Sequence, residues 1–421
     1  MSNVNITSKG IKRILKRYNA EQAIAEYIWN GFDARANTIN IRYKANALGK
    51  LDFLEVNDNG YGIDFNELKS KFEPFYESEK TIEIAVPANT SVMHGKNGVG
   101  RMTFFTFAHD AAWLTTFSSP EGLRSGEIRM SAERLNHYEP SQLTVPMAEE
   151  TGTSVTFRNL LISEAYMQDV VIPFLVEEFC WFLELNSPKE YRILINGEAL
   201  DHTINIAEKE SLIIPDETSD TVFRVVYIQW KKALHRELSK YYFIDSRYNE
   251  VYKDFTTLNK KADDFFHSVY ITSDFFDDFS FKNGDNDQQE VLFGRSKAAP
   301  EYRHLIKELG KYIQARRRPY LRAFGAKMVD RFEADGIFPT YPNDSEKLRK
   351  PVLEEMLISL YEKEPKLFTN LNTDQRKLFV RMFDLLLISG EADKLVTLLE
   401  GITELDDEER IELTALFVKT A

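Results

Sequence analysis

The chain has 421 residues, 43% of them hydrophobic, and a formal net charge of −13. That length and apolar share support a packed core and two or three domains, and 30 Phe with 19 Tyr exclude a wholly disordered chain. An acidic balance makes a poor default binder of nucleic acid, because neutralising phosphates takes clustered Lys and Arg, although a local basic patch can override the total.

The single cysteine, Cys180, cannot form an internal disulfide, and its apolar setting "LVEEFCWFLEL" reads as a buried structural thiol. No charged N-terminal stretch leads into an apolar core, so no signal peptide is expected. No run approaches the roughly 18 apolar residues that a membrane span needs. A soluble cytoplasmic protein without membrane contact is the expectation.

In chain order, residues 10–36 have apolar residues at helical spacing, while "TINIRYKA" and "KLDFLEVND" alternate as strands do. "NGYGID" closes the second strand as a glycine turn. Residues 63–94 show no clear period and are expected to hold a short helix and a loop. "NGVGRMTFFTFAHDA" reads as a glycine turn opening a helix; "AAWLTTFSS", "LRSGEIRMSAE" and "GTSVTFRNL" read as strands. These strands are joined largely without regular crossover helices, which favours an α+β sandwich with helices on one face of a sheet. A second region starts near "YRILINGEAL" and has strands in "DTVFRVVYIQW", "KYYFIDSRYNEVYKDF" and "FHSVYITSDFF"; "FKNGDNDQQE" is a polar loop. From about residue 300 the pattern is helical, as one long helix or two broken at Pro319, with further amphipathic helices over 344–421. The expected domains are 1–200, 201–325 and 326–421.

Several common sites are missing. No Gly-Lys pair precedes Ser or Thr, which excludes a P-loop; zinc spacing, HExxH, G-x-S-x-G and GxGxxG are also absent. Four stretches remain. Glu26, Asn30 and Asp33 recur at i, i+4 and i+7 and share one side of a helix, where charged residues ordinarily face solvent. Asp58-Asn59-Gly60-Tyr61-Gly62 sits at a strand end: a plain turn, or a carboxylate that accepts from an exocyclic amine beside glycines that admit a flat ring. Gly95-x-x-Gly98-x-Gly100 is a flexible turn or a cradle of backbone N–H groups for phosphate. Gly152-Thr153 enters the strand "SVTF" with a hydroxyl that either caps the strand or bonds a water or Asp58.

Taken together and in this order, "EYIWNGFDA" (26–34), "DNGYG" (58–62), "GKNGVGRMTFF" (95–105) and "GTSVTF" (152–157) resemble the four ATP-binding boxes of the GHKL superfamily. That superfamily comprises DNA gyrase and other type II topoisomerases, Hsp90, histidine kinases, MutL and the similar MORC ATPases. The resemblance covers residues 1 to about 200. It implies an N-terminal Bergerat-type α/β sandwich, then a transducer-like α+β domain and a helical C-terminal region. By the same resemblance Asn30 is the magnesium ligand, since Mg²⁺ takes oxygen donors and few protein ligands. Glu26, one turn earlier, is the general base that activates water. Asp58 reads the adenine amine with support from Thr153, while Gly60 and Gly62 admit the base. Gly95, Lys96, Asn97, Gly98, Val99 and Gly100 wrap the phosphates, residues 63–94 form the lid, and Asp33 is structural.

Glu26 points to the hydrolysing branch, because histidine kinases generally lack it. The relatives deliver a Lys or Arg to the γ-phosphate from a second domain; Lys297 in "FGRSKAAPEYRHLIKEL" has that layout, with Lys231 or Lys232 as the second choice. Arg316-Arg317-Arg318 is either a nucleic-acid contact or a set of solvated helix arginines. The resulting expectation is a Mg²⁺-dependent ATPase with ATP as substrate, working as an ATP-dependent homodimeric clamp on DNA or on a protein partner, by analogy in phage defence or genome maintenance. The alternatives are a non-hydrolysing nucleotide-gated interaction protein and an Hsp90-like chaperone.

Overall fold

The computed structural model describes residues 7–72, 100–146, 149–216, 219–234, 239–256, 265–280, 295–369 and 371–389. The predicted helix over 10–36 is two helices, α1 (Ser8–Leu15) and α2 (Ala20–Asp33). The break has a local cause. Asn19 takes an extended backbone and forms a reciprocal capping box with Gln22, which starts a new helix where the apolar spacing alone suggests continuity.

The strands β1 (Thr38–Ala45) and β2 (Leu51–Asp58) follow, then α3 (Leu68–Phe72), a 3₁₀ segment (Gly100–Thr106), β3 (Ala108–Ser119), β4 (Gly122–Ser131), β5 (Glu139–Pro140), β6 (Gly152–Leu160), α4 (Glu164–Tyr166), α5 (Ile172–Leu185), β7 (Arg192–Ile195) and β8 (Glu198–Ala199). The helix expected after the glycine run is therefore only this short 3₁₀ stretch, and "AHDA" already belongs to β3. These strands form an eight-stranded sheet in the order β5-β4-β3-β6-β2-β1-β7-β8, antiparallel except where β1 runs alongside β7. Ile39, Ile41, Leu54, Val56, Val155 and Phe157 are buried at alternate positions, as expected of a sheet with one covered face.

The covering layer is α2 and α5. Trp29 packs its ring 4.5 Å from that of Phe179 and 4.9 Å from that of Phe182, and its Nε1 donates to Glu178 at 3.0 Å. Phe32 joins the same cluster, 4.9 Å from Phe182. Cys180 is fully buried here, as its sequence setting implies, and burial raises its thiol pKa to about 12.

A second, five-stranded sheet has the order β12-β11-β13-β10-β9, made of β9 (Ile206–Pro215), β10 (Val222–Trp230), β11 (Lys240–Ile244), β12 (Glu250–Phe255) and β13 (Phe266–Thr272). β9 is not evident in the sequence because most of its residues are exposed and its middle, "EKES", is polar on both faces. The short pair β14 (Phe279–Ser280) and β15 (Arg295–Ser296) follows, then α6 (Pro300–Ala334), α7 (Asp344–Lys347), α8 (Arg349–Lys363) and α9 (Thr373–Ser389). Pro319 lies inside α6 without ending it. A buried stripe through Ile313, Arg317, Leu321, Gly325 and Val329 runs past the proline, so tertiary packing offsets the missing backbone donor. The described residues divide into two compact units: one holds both large sheets apart from the ends of two strands, and the other is built on α6, α8 and α9. The polar loop at 281–290 and the chain beyond residue 389 lie outside the described residues.

Trp29→Ala removes a tryptophan from the α2–α5 cluster and leaves Glu178 without its donor. It is expected to cost the sheet-containing unit about 3–5 kcal/mol, and Trp29→Phe clearly less, as measured by denaturant unfolding.

Candidate functional site

The packing of α2 shows where the polar stripe lies. Nine of its fourteen residues are buried, on nearly every side of the helix. Glu26 and Asp33 are partly exposed and Asn30 is exposed. A helix this deeply packed has no solvated back; the stripe is its one open side, and it opens beside the end of β2.

Gly31 makes that arrangement possible. A Cβ there would collide with Ile39 Cδ1 and sit 2.9 Å from Asp58 Cβ, so glycine lets the Asp58 carboxylate lie against the helix next to Asn30. Asp58 faces Thr153 across β6, and Thr153 faces Thr115 across β3. The Gly60 amide donates to Asp58 Oδ1 at 2.9 Å, and the Thr153 backbone amide also bonds the carboxylate. Burial outweighs both bonds and pushes the Asp58 pKa up to about 6.

The rest of the turn is held from below. The Tyr61 amide donates to the Ala34 carbonyl at 3.0 Å, and Asn59 Oδ1 accepts from the amides of Asn37 and Thr38 at 3.1 and 3.0 Å. Gly60 lies where a Cβ would meet the Ala34 carbonyl oxygen at 2.6 Å. Gly62 has φ +79° and presses on the Thr116 carbonyl, so both its conformation and its space demand glycine. The Thr115 hydroxyl is within 3.1 Å of that of Thr153, accepts from the Ile63 amide at 2.8 Å and lies 3.2 Å from the Gly152 carbonyl.

On the other side of the stripe, Gly100 meets Glu26: a Cβ there would be 2.7 Å from Glu26 Oε2. The structure thus gathers Glu26, Asn30, Asp58, Gly60, Gly62, Gly100 and Thr153 around one end of the sheet. Gly95, Lys96, Asn97, Gly98 and Val99 lie outside the described residues, as does the expected lid from residue 73 onward.

The other candidates are elsewhere. Lys297 is partly buried in the turn before α6, in the second compact unit. Lys231 donates to the Ile204 carbonyl at 2.8 Å, and Lys232 pairs with Glu177 on α5. The arginine cluster serves its own fold: Arg316 lies over Tyr312, Arg317 is buried, and Arg318 bonds Glu362 at 2.5 Å. Two site residues escaped the sequence reading. Gly31 is hidden inside a helical pattern, and Thr115 stands in an unremarkable strand, where only strand register identifies it.

Residues 18–154 match the family described as histidine kinase-, DNA gyrase B-, and HSP90-like ATPase. The match is confined to residues 18–154, the stretch that carries Glu26, Asn30, Asp58, Gly100 and Thr153. No curated protein matches the chain. Among solved structures, the ATPase region of Saccharomyces cerevisiae topoisomerase II is 12% identical, over 65% of this chain and 85% of that one, with a TM-score of 0.35. The same region bound to ICRF-187 (dexrazoxane) is 12% identical, over 65% and 86%, with a TM-score of 0.34. A likeness this loose bears on neither activity nor partners. Among the described residues no helix is long and apolar enough to cross a membrane, and no group of three or more His, Cys, Asp or Glu could hold a metal ion.

The Asp58 pKa has a stability consequence. Its folded value is raised above the unfolded one, so the folded protein is penalised as pH rises from about 4 to 6, and fully above that. Asp58→Asn keeps the oxygen that accepts from Gly60 but carries no charge. It is expected to match the wild type near pH 4 and to be about 2–3 kcal/mol more stable at pH 7 without ligand, as measured by denaturant titration at both pH values.

Proposed function

We propose that the N-terminal domain binds ATP and hydrolyses it. The observation that carries this reading is that Gly31, one residue after Asn30, seats the helix bearing Glu26 and Asn30 against the strand-end carboxylate Asp58, with the close-packed Gly60 and Gly62 beside Asp58 and Gly100 beside Glu26. The partly buried Asp58 carboxylate suits an exocyclic amine donor, and a strong hydrogen bond is the return for keeping the charge there. Gly60 and Gly62 keep side chains away from a flat base. Thr115 and Thr153 hold the strand ends that present Asp58.

Asn30 offers an exposed amide oxygen, a hard donor of the kind Mg²⁺ takes, and the remaining ligands of such an ion are phosphate and water oxygens. When bound, Mg²⁺ would neutralise charge on the phosphates. Glu26, one turn away on the same stripe, is the base that accepts a proton from the attacking water, and Gly100 borders it. Gly95, Lys96, Asn97, Gly98, Val99 and Gly100 supply the backbone donors for the phosphates, and Lys297 contacts the γ-phosphate from the second domain. The division at about residues 200 and 325 into ATP-binding, transducer-like and helical regions belongs to this reading.

Hydrolysis would drive a cytoplasmic homodimeric clamp whose γ-phosphate contacts distinguish closed from open states. Its client is DNA or a protein, by analogy in phage defence or genome maintenance. The engagement of Arg316, Arg317 and Arg318 within the helical unit withdraws one argument for direct DNA contact.

Glu26→Ala is expected to retain binding of a fluorescent ATP analogue within a few-fold while phosphate release falls by about 10²-fold or more. Asp58→Asn is expected to lose binding itself. Absence of Mg²⁺-dependent phosphate release by the wild type, with binding intact, would favour the non-hydrolysing alternative; stimulation by unfolded protein would favour the chaperone, and by long duplex DNA the DNA clamp.

A further inference from the structure

Glu26 is followed by a residue that the reading above leaves without a task. Tyr27 is fully enclosed, with its ring 4.8 Å from Phe157 in an edge-on contact and 6.3 Å from both Phe107 and Trp113. Its hydroxyl donates to the Arg101 carbonyl at 2.9 Å, with Thr103 and the Phe104 backbone close beside it. A phenylalanine would fill the same space. The hydroxyl is thus an added polar group in an apolar setting, where it is tolerated because its partners are supplied.

All those partners lie in the one 3₁₀ segment, Gly100–Thr106. The segment is also tied to itself, since the Thr103 hydroxyl donates to the Gly100 carbonyl at 2.7 Å. Arg101 donates to the Phe72 carbonyl at 2.8 Å and lies over the Phe72 ring, which fixes the segment from its other side. At the head of the segment is Gly100, and the space where its Cβ would be is closed by Glu26: 2.7 Å to Oε2 and 3.3 Å to Cβ. Glu26 and Tyr27 are neighbours on one helix, so the two contacts form a closed loop. Tyr27 holds the segment to α2, and the segment's first residue then walls in the carboxylate beside it.

We infer that Tyr27 is a positioning residue for Glu26, acting through the Gly100–Thr106 segment, and that Gly100 sets the carboxylate's place by contact. Tyr27 touches no substrate. It deepens the hydrolytic reading and rests on it: a base must stay within a fraction of an ångström of its water line, and a misplacement of about 1 Å costs on the order of 10²-fold in rate.

The test compares Tyr27→Phe and Gly100→Ala in the full chain with the same changes on a Glu26→Gln background. Tyr27→Phe is expected to lower kcat for phosphate release about 10-fold or more, with KM for ATP and affinity for a non-hydrolysable analogue within about 3-fold. Gly100→Ala pushes the carboxylate from the other side and is expected to lower kcat as well, with analogue affinity falling too, because Gly100 also belongs to the proposed phosphate-binding run. On the Glu26→Gln background neither change lowers the remaining rate further, because the group they position is gone. The second readout needs no turnover: crystal structures of ligand-free Tyr27→Phe and Gly100→Ala show the Glu26 carboxylate displaced by about 1 Å relative to wild type.

Three results would overturn the inference: loss of analogue affinity in proportion to rate in Tyr27→Phe, equal losses on the Glu26→Gln background, or an unmoved Glu26 carboxylate in both variants. Should Tyr27→Phe fail to fold, Thr103→Val carries the same affinity comparison and Gly100→Ala the structural one. A wild type that binds ATP without hydrolysing it defeats the hydrolytic reading alone, and the ligand-free structures still decide whether Tyr27 and Gly100 place Glu26.

Discussion

The site depends on how closely α2 can approach the sheet. Gly31 brings the helix into contact with Ile39 and Asp58, closer than any side chain would allow. Nine buried residues anchor it there through the aromatic layer of Trp29, Phe32, Phe179 and Phe182. With the helix so deeply seated, only Glu26, Asn30 and Asp33 escape burial beyond its first turn, and Asn30 and Asp33 flank the glycine that meets the end of β2. A more distant helix would separate the Glu26–Asn30 pair from Asp58 and dissolve the cleft. The apolar packing of one face therefore determines the chemistry of the other.

The strand end makes the opposite choice from a structural salt bridge. Asp58 accepts from the Gly60 backbone amide, and burial raises its pKa to about 6. Elsewhere in the same unit a buried carboxylate is stabilised: Glu184 bonds Lys209 at 2.6 Å and His202 at 3.1 Å, which hold its pKa below the ordinary glutamate value despite burial. The fold can supply cations to buried acids. At Asp58 the donors are neutral backbone amides, which offset burial only in part.

Much of this was legible in the sequence because the period-2 alternation in β1, β2 and β6 and the Asp-x-Gly-x-Gly turn are local signals. The helical spacing of Glu26 and Asn30 was equally plain, though its meaning was not: spacing alone could not tell a solvated stripe from the single open side of a buried helix. Other features stayed hidden because they depend on partners far along the chain. Gly31 reads as an ordinary helical glycine until Asp58 lies beside it. Thr115 acquires a role only through its register with Thr153, which is set by strands about 40 residues apart. The split of α1 from α2 was legible at Asn19 and Gln22, but the apolar spacing masked it. Pro319 misleads in the other direction, since the long-range packing of α6 overrides a strong local signal.

The second sheet is bound to the site through α5. Trp181 stacks on Tyr242 with ring centres 5.8 Å apart, and its carbonyl accepts from the Tyr270 hydroxyl at 2.9 Å. Lys232 and Lys209 reach back from the second sheet to Glu177 and Glu184 on the same helix. Trp29, on the site helix, is 6.0 Å from Trp181. One aromatic chain thus runs from α2 through α5 into β11, and rotating one sheet against the other at this junction would expose stacked rings and strip buried Glu184 of its cations. Such a junction transmits displacement as a rigid body rather than absorbing it. A nucleotide-driven switch built on this domain would keep the α2–α5–β11 block intact and bend at less densely packed elements.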